Sequence, residues 1–142
     1  MAGKSGIKLE FKGFDEMIEK IRKAEKDVKP IVNDCMKNAA EIQWVELGQA
    51  MLDTGVDSGL VDRMPEPKVK WEGDRCIVNV GYEKGNYTPL NLDDAHKVIF
   101  LNYGTPKIKA KNFIATAKKA AASQIRKETK KALTQIIKEI EK

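Results

Sequence analysis

The sequence predicts an α+β fold: an antiparallel sheet of about four strands packed against a kinked N-terminal helix and a long C-terminal helix. Three observations predict it. Apolar residues alternate with period two on both sides of Gly73-Asp74, they recur at helical spacing through residues 31–51, and they do so again from Phe113 almost to the last residue. At 142 residues, with no internal repeat, the chain is expected to form a single domain over 1–142. A domain of that size hides about 70% of its unfolded surface, so it needs no disulfide or metal to hold a core.

The elements follow in order. After a flexible N-terminus at 1–6, Ile7, Leu9 and Phe11 alternate with Lys8, Glu10 and Lys12, the pattern of a half-buried strand. Gly13 ends it and Asp15 is placed to cap a helix. Met17, Ile21, Ala24 and Val28 continue at helical spacing. Pro30 kinks that helix or starts a second one, because it lacks an N–H and fits only a first turn. The helical pattern then runs through Cys35, Ala39, Ile42 and Val45 to about Met51.

Residues 53–67 carry two Gly and two Pro and read as a long loop with a helical turn or short strand near Leu60–Met64. Val69 and Trp71, then Cys76, Val78 and Val80, form a hairpin about the two-residue turn Gly73-Asp74. A second long loop is expected at 83–95, and Val98-Ile99-Phe100-Leu101 reads as a short strand buried on both faces. Beyond Gly104-Thr105-Pro106, the stripe Phe113, Ala117, Ala121, Ile125, Ala132, Ile136 and Ile140 predicts a helix about eight turns long.

Little in the sequence carries chemistry. Cys35 and Cys76 are far apart and lack Cys-x-x-Cys spacing, so each reads as a small apolar core residue. In Gly55-Val56-Asp57-Ser58-Gly59 the serine falls one place too late for a nucleophile elbow, and Ser58 reads as a loop hydrogen-bonder. Asp93, Asp94 and His96 come nearest to a metal cluster, but three or four ligands in fixed geometry are the rule, and an Asp capping a turn is the simpler reading. No Gly-rich phosphate cradle is present. No catalytic activity, cofactor or metal is therefore expected. Nor does any apolar run approach the ~20 residues that span a bilayer, and no hydrophobic signal core follows Met1. Synthesis in the cytoplasm, with no membrane partner, is the expectation.

The net charge of +5 is unevenly placed. From Thr105 onward the balance is +8, and the first 104 residues hold −3. The lysines Lys118, Lys119, Lys127, Lys130, Lys131 and Lys138 lie opposite the apolar stripe. Such a face could neutralise phosphates. It has no interleaved aromatics and no helix-turn-helix signature before it, and solvated Lys-rich faces are common.

Phe100-Leu101-Asn102-Tyr103-Gly104-Thr105, followed by Phe113-Ile114-x-x-Ala117, resembles the signature of the minor tail and tail-completion proteins of long-tailed bacteriophages. In that family an apolar strand ends in an aromatic-Gly-Thr turn, and a linker delivers a Phe-Leu-x-x-Ala helix start. Thr54-Gly55 or Ser58-Gly59-Leu60, ahead of Val61-Asp62-Arg63-Met64, is similar to the family's Thr-Gly-x-Leu loop, and Ile7 to Asp15 to its opening strand. Two positions depart: Asn102 stands where an acid is common, and Lys111-Asn112 where Pro often precedes the Phe.

The resemblance, in the order of elements, covers about 7–142. It implies a virion protein, a tail-completion or tail-terminator subunit forming a ring, commonly of six copies, at the head–tail junction. A head-side adaptor is the alternative, and a basic nucleic-acid-binding accessory protein is the alternative of another class. The implied partners are other copies of the chain, tail-tube and head-connector proteins, and DNA passing through the lumen. Tyr103, Gly104, Thr105, Phe113 and Ala117 would form the structural corner. Asp57, Ser58, Gly59, Leu60, Asp62, Arg63, Asp93 and Asp94 are candidates for the subunit interface, with Lys118, Lys119, Lys127, Lys130 and Lys131 opposite them. Acidic loops of one copy would then meet the basic face of the next, in the head-to-tail geometry that closes rings.

Overall fold

The computed structural model describes residues 6–11, 28–73, 75–82 and 94–141. They form three strands, β1 (Gly6–Phe11), β2 (Val69–Glu72) and β3 (Arg75–Gly81), and four helices. The helices are α1 (Lys29–Asp53), α2 (Ser58–Asp62), α3 (Asp94–Tyr103) and α4 (Phe113–Glu141).

The sheet has three strands in the order β1-β3-β2, all antiparallel, and not the expected four. The missing strand is Val98–Leu101, which lies inside α3. Its four apolar residues fit either element. The wider pattern decides, because Ala95, Val98, Ile99 and Asn102 are the buried positions, one helical face spaced i, i+3, i+4, i+7. A polar residue at the last of these positions hides the stripe in the sequence.

The hairpin forms as predicted, with Glu72 paired to Arg75 and Gly73 at φ +61°, the left-handed region that a two-residue turn uses. Ile7 and Leu9 stand opposite Val80 and Val78, and Val69 opposite Val78, so their side chains share the inner sheet face. Ile77 departs from the alternation: it is buried on the outer face, between Glu10 and Lys70 in register. Arg75 pairs with Glu10 across the same face.

Pro30 sits in the first turn of α1, where its missing N–H costs nothing. The expected helix before it, from Asp15 through Met17, Ile21 and Ala24, lies outside the described residues. Helix α1 ends where the Thr54 hydroxyl donates back to the Ala50 and Met51 carbonyls and Gly55 turns left-handed. It lies against the inner sheet face and carries Val32, Met36, Leu47 and Met51 into the core. Leu47 and Met51 are fully buried, each contributing about 1.5–3 kcal/mol.

Helix α4 packs on α1. Cys35 and Asn38 reach Glu128, while Gln43 reaches Ala117, so the two helices run antiparallel. Small buried residues on both (Ala39 and Ala40, Ala117 and Ala121) permit close approach of the axes. The predicted stripe is the buried one, with Phe113, Ala117, Ala121 and Ile136 fully enclosed. No described helix is long and apolar enough to cross a membrane.

Candidate functional site

Two regions of the molecule stand out, a corner between α3 and α4 and the outer face of α4. The corner is built from its backbone outward. Helix α3 closes with the Gly104 N–H donating to the Phe100 carbonyl at 2.9 Å. Gly104 has φ +84°, and a Cβ there would lie 2.9 Å from the Ala110 nitrogen and 3.0 Å from the Ile108 oxygen. Only glycine fits both the dihedral and the space.

Thr105 and Ile108 then exchange backbone hydrogen bonds of 2.8 and 3.2 Å. The Thr105 hydroxyl accepts from the Lys107 and Ile108 N–H groups at 3.2 and 3.0 Å. The Lys111 and Asn112 N–H groups donate back to the Leu101 and Asn102 carbonyls, at 3.0 and 3.1 Å.

The two departures from the family pattern have a physical account here. Asn112 has φ +51°, which asparagine tolerates and proline cannot adopt, and proline would also remove its N–H. Asn102 is buried, and its side-chain oxygen accepts from the Ile114 N–H at 2.9 Å, capping the start of α4 as a carboxylate would. Phe113, fully buried, anchors that helix. The Gln43 side chain, also buried, donates to the Ala117 carbonyl at 3.0 Å, and the Lys111 ammonium donates to the Thr54 carbonyl at 2.9 Å. The sequence does not single out Gln43, and it marks Asn102 and Lys111 only as departures from the resembled pattern. A polar residue within an apolar helical stripe, as at 43 and 102, was the available signal.

The predicted interface residues divide. Leu60 is a core residue, and Asp57 caps α2 by accepting from the Gly59 N–H at 2.7 Å. Arg63 makes a two-pronged pair with Asp94, at 3.0 and 3.2 Å, which keeps its guanidinium charge firmly held. Lys97 lies 4.0 Å from the same carboxylate. Ser58 and Asp62 are exposed, and Asp93 lies outside the described residues. The buried Tyr82 hydroxyl donates to the Leu60 carbonyl at 2.5 Å, and burial, with Asp94 nearby, pushes its ionisation up. Loop 53–67 is thereby fastened near its middle, to α3 through Arg63 and to Tyr82 through Leu60.

Asp94 and His96 sit in the first turn of α3, not ahead of a strand. Among the described residues no three or more His, Cys, Asp or Glu side chains gather where a metal could be held. Both cysteines are buried free thiols. Burial pushes Cys76 up to about 11 and raises Cys35 as well, where Glu128 adds to the shift. Trp44 Nε1 is a buried donor left unpaired.

Lys118, Lys119, Lys127, Lys130 and Lys131 are exposed, as are Arg126 and Lys138. Apolar groups in water include Val45 and Leu52 on α1, with Tyr103 and Ile108 at the corner.

No family model, no curated protein and no solved structure matches this chain.

Proposed function

We propose that the chain is a structural subunit of a bacteriophage virion, a tail-completion or tail-terminator protein that assembles with copies of itself into a ring at the head–tail junction. The observation that supports this reading is the corner. The Tyr103-Gly104-Thr105 turn and the Phe113 helix start, the residues carrying the family resemblance, form one hydrogen-bonded unit. That unit is entered from a helix where the resemblance implies a strand.

The same unit holds Tyr103 and Ile108 at the surface, 47% and 40% exposed. The Lys111 bond to Thr54 brings it to the C-terminal end of α1, where Leu52 is also in water. Buried apolar area is what drives association, and a neighbouring copy covering this end would remove these groups from water. Asp57 and Asp94 serve their own chain, so the contact between copies is carried mainly by this apolar surface. Ionic strength is then a secondary influence.

Light scattering on the purified protein tests the proposal. The expected result is a single assembled mass that is a fixed multiple of the 15.9 kDa chain. The Leu52→Lys/Ile108→Lys variant should stay monomeric with an unchanged far-UV spectrum. A monomeric wild type at the highest attainable concentration overturns the reading.

A further inference from the structure

We propose that the outer face of α4 is a sequence-independent contact for duplex DNA, made to its phosphates by Lys119, Arg126, Lys127, Lys130 and Lys138. The inference stands apart from ring assembly, since it rests on the charge and composition of one helix face.

The face is uniformly cationic. Between Phe113 and Lys138 the helix has one acid, Glu128. Glu128 is turned inward, its carboxylate accepting from Asn38 and lying 3.7 Å from Lys131. Among the described residues no carboxylate pairs with Lys119, Arg126, Lys127, Lys130 or Lys138. An ordinary solvated helix face intersperses acids at i, i+4 and is stabilised by the pairs. Here Arg126 and Lys130, and Lys127 and Lys131, set like charges at that spacing, which opposes the helix. Lys138 lies in the last turn, where the helix dipole favours it, but the rest of the cluster lies ten residues or more from Glu141, too far for the dipole to reward it. Among the described residues nothing offsets this arrangement, whereas an anionic partner does.

The composition of the face selects the kind of anion. From Lys119 to Thr134 its exposed side chains are lysines, one arginine, Ala120, Ser123, Gln124 and Thr134. A protein interface is built on an apolar centre and is depleted in lysine. No large apolar side chain is fully exposed from Lys119 to Thr134, and Ile137 next to Lys138 is the one exposed on the described helix. Loop acids of a second copy fit poorly, because Asp57 and Asp94 already bind within their own chain.

A duplex instead offers a dense line of charge, about one phosphate per 1.7 Å of its axis, and Lys119 to Lys138 covers about 28 Å of helix. No aromatic follows Phe113, so the face has no platform for stacking unpaired bases, and its charged side chains far outnumber its amides. The contact is therefore to backbone phosphate of the double strand.

Fluorescence anisotropy with a labelled mixed-sequence DNA duplex tests this. About four phosphate contacts predict that binding at about 50 mM salt weakens about a hundredfold by about 200 mM. A second duplex of unrelated sequence should bind equally. The Lys119→Gln/Arg126→Gln/Lys127→Gln/Lys130→Gln variant should lose at least about tenfold in affinity and flatten the salt slope, while keeping the wild-type far-UV spectrum and unfolding midpoint. A Lys68→Gln/Lys70→Gln variant, at and just before β2, should bind as wild type and matches the net charge of a Lys119→Gln/Lys130→Gln variant. Should the fourfold variant unfold, Lys119→Gln/Lys130→Gln provides the same test with a proportionally smaller change. Absence of binding at low salt, equal binding by the fourfold variant, or a preference for single strands overturns the proposal. So does a fourfold variant that loses self-association when the wild type binds no duplex, because the face is then a protein contact.

Discussion

The corner at 102–114 and the outer face of α4 adjoin along one helix and are organised in opposite ways. At the corner each polar group named above has a partner a few ångströms away in the same chain: Asn102 with Ile114, Thr105 with Ile108, Asn112 with Asn102, Lys111 with Thr54. On the outer face of α4, successive charges repel and, among the described residues, almost nothing answers them. Residues that hold a fold can be recognised by internal partners. Residues lacking them, and placed where they work against the helix, are accounted for by something outside the chain. Fold and function are thus separable along α4, and the division can be broken or sharpened by substitution.

The largest effect is expected inside the corner. Phe113→Ala should lower unfolding free energy by about 3–5 kcal/mol, through lost burial and the cavity left behind. Urea denaturation measures it; a loss below about 1 kcal/mol would mean that Phe113 is not the anchor. Gly104→Ala should cost about 1–3 kcal/mol, since the left-handed backbone and the close Ala110 nitrogen both resist a Cβ. Asn102→Ala should cost about 1–2 kcal/mol by uncapping the buried start of α4, and Asn102→Asp should recover part of that.

Stability should also fall at alkaline pH. Burial favours the protonated Cys76 thiol and the protonated Tyr82 hydroxyl in the folded chain. Their contribution is complete below the ordinary thiol value of 9.0 and is lost as pH rises toward about 11, because the unfolded chain releases protons that the fold retains. Thermal midpoints at successive pH values should decline through that window, and less steeply in Cys76→Ala. The smallest effect belongs to the outer face: neutralising Arg126 and Lys127 should change stability by no more than about 0.5 kcal/mol, in the stabilising direction. A marked loss there would place these residues with the corner and erase the distinction.

Much of the fold was legible because its signals are local. The hairpin needed only alternation and Gly73-Asp74, and α4 needed only its stripe. Helix α3 was misread as a strand because the apolar run Val98–Leu101 is short, and the residue completing its helical face, Asn102, is polar. The buried side of that asparagine is a capping contact with a residue twelve positions later, which no short window contains. Distance along the chain also hid the Arg63–Asp94 pair, 31 residues apart, so loop charges that read as free for a neighbour turned out to be engaged at home. The lysines of α4 were legible as a face. That few of them have a carboxylate partner among the described residues became visible only once Glu128 was seen to turn inward.

Imaging of the purified protein in negative stain tests the central claim most directly. The account predicts closed rings with a central opening and one rotational symmetry, disrupted by Leu52→Lys/Ile108→Lys and retained when the α4 lysines are neutralised. Fields of single small particles at every concentration, or rings that survive the Leu52→Lys/Ile108→Lys change and vanish when the α4 lysines are neutralised, would contradict it.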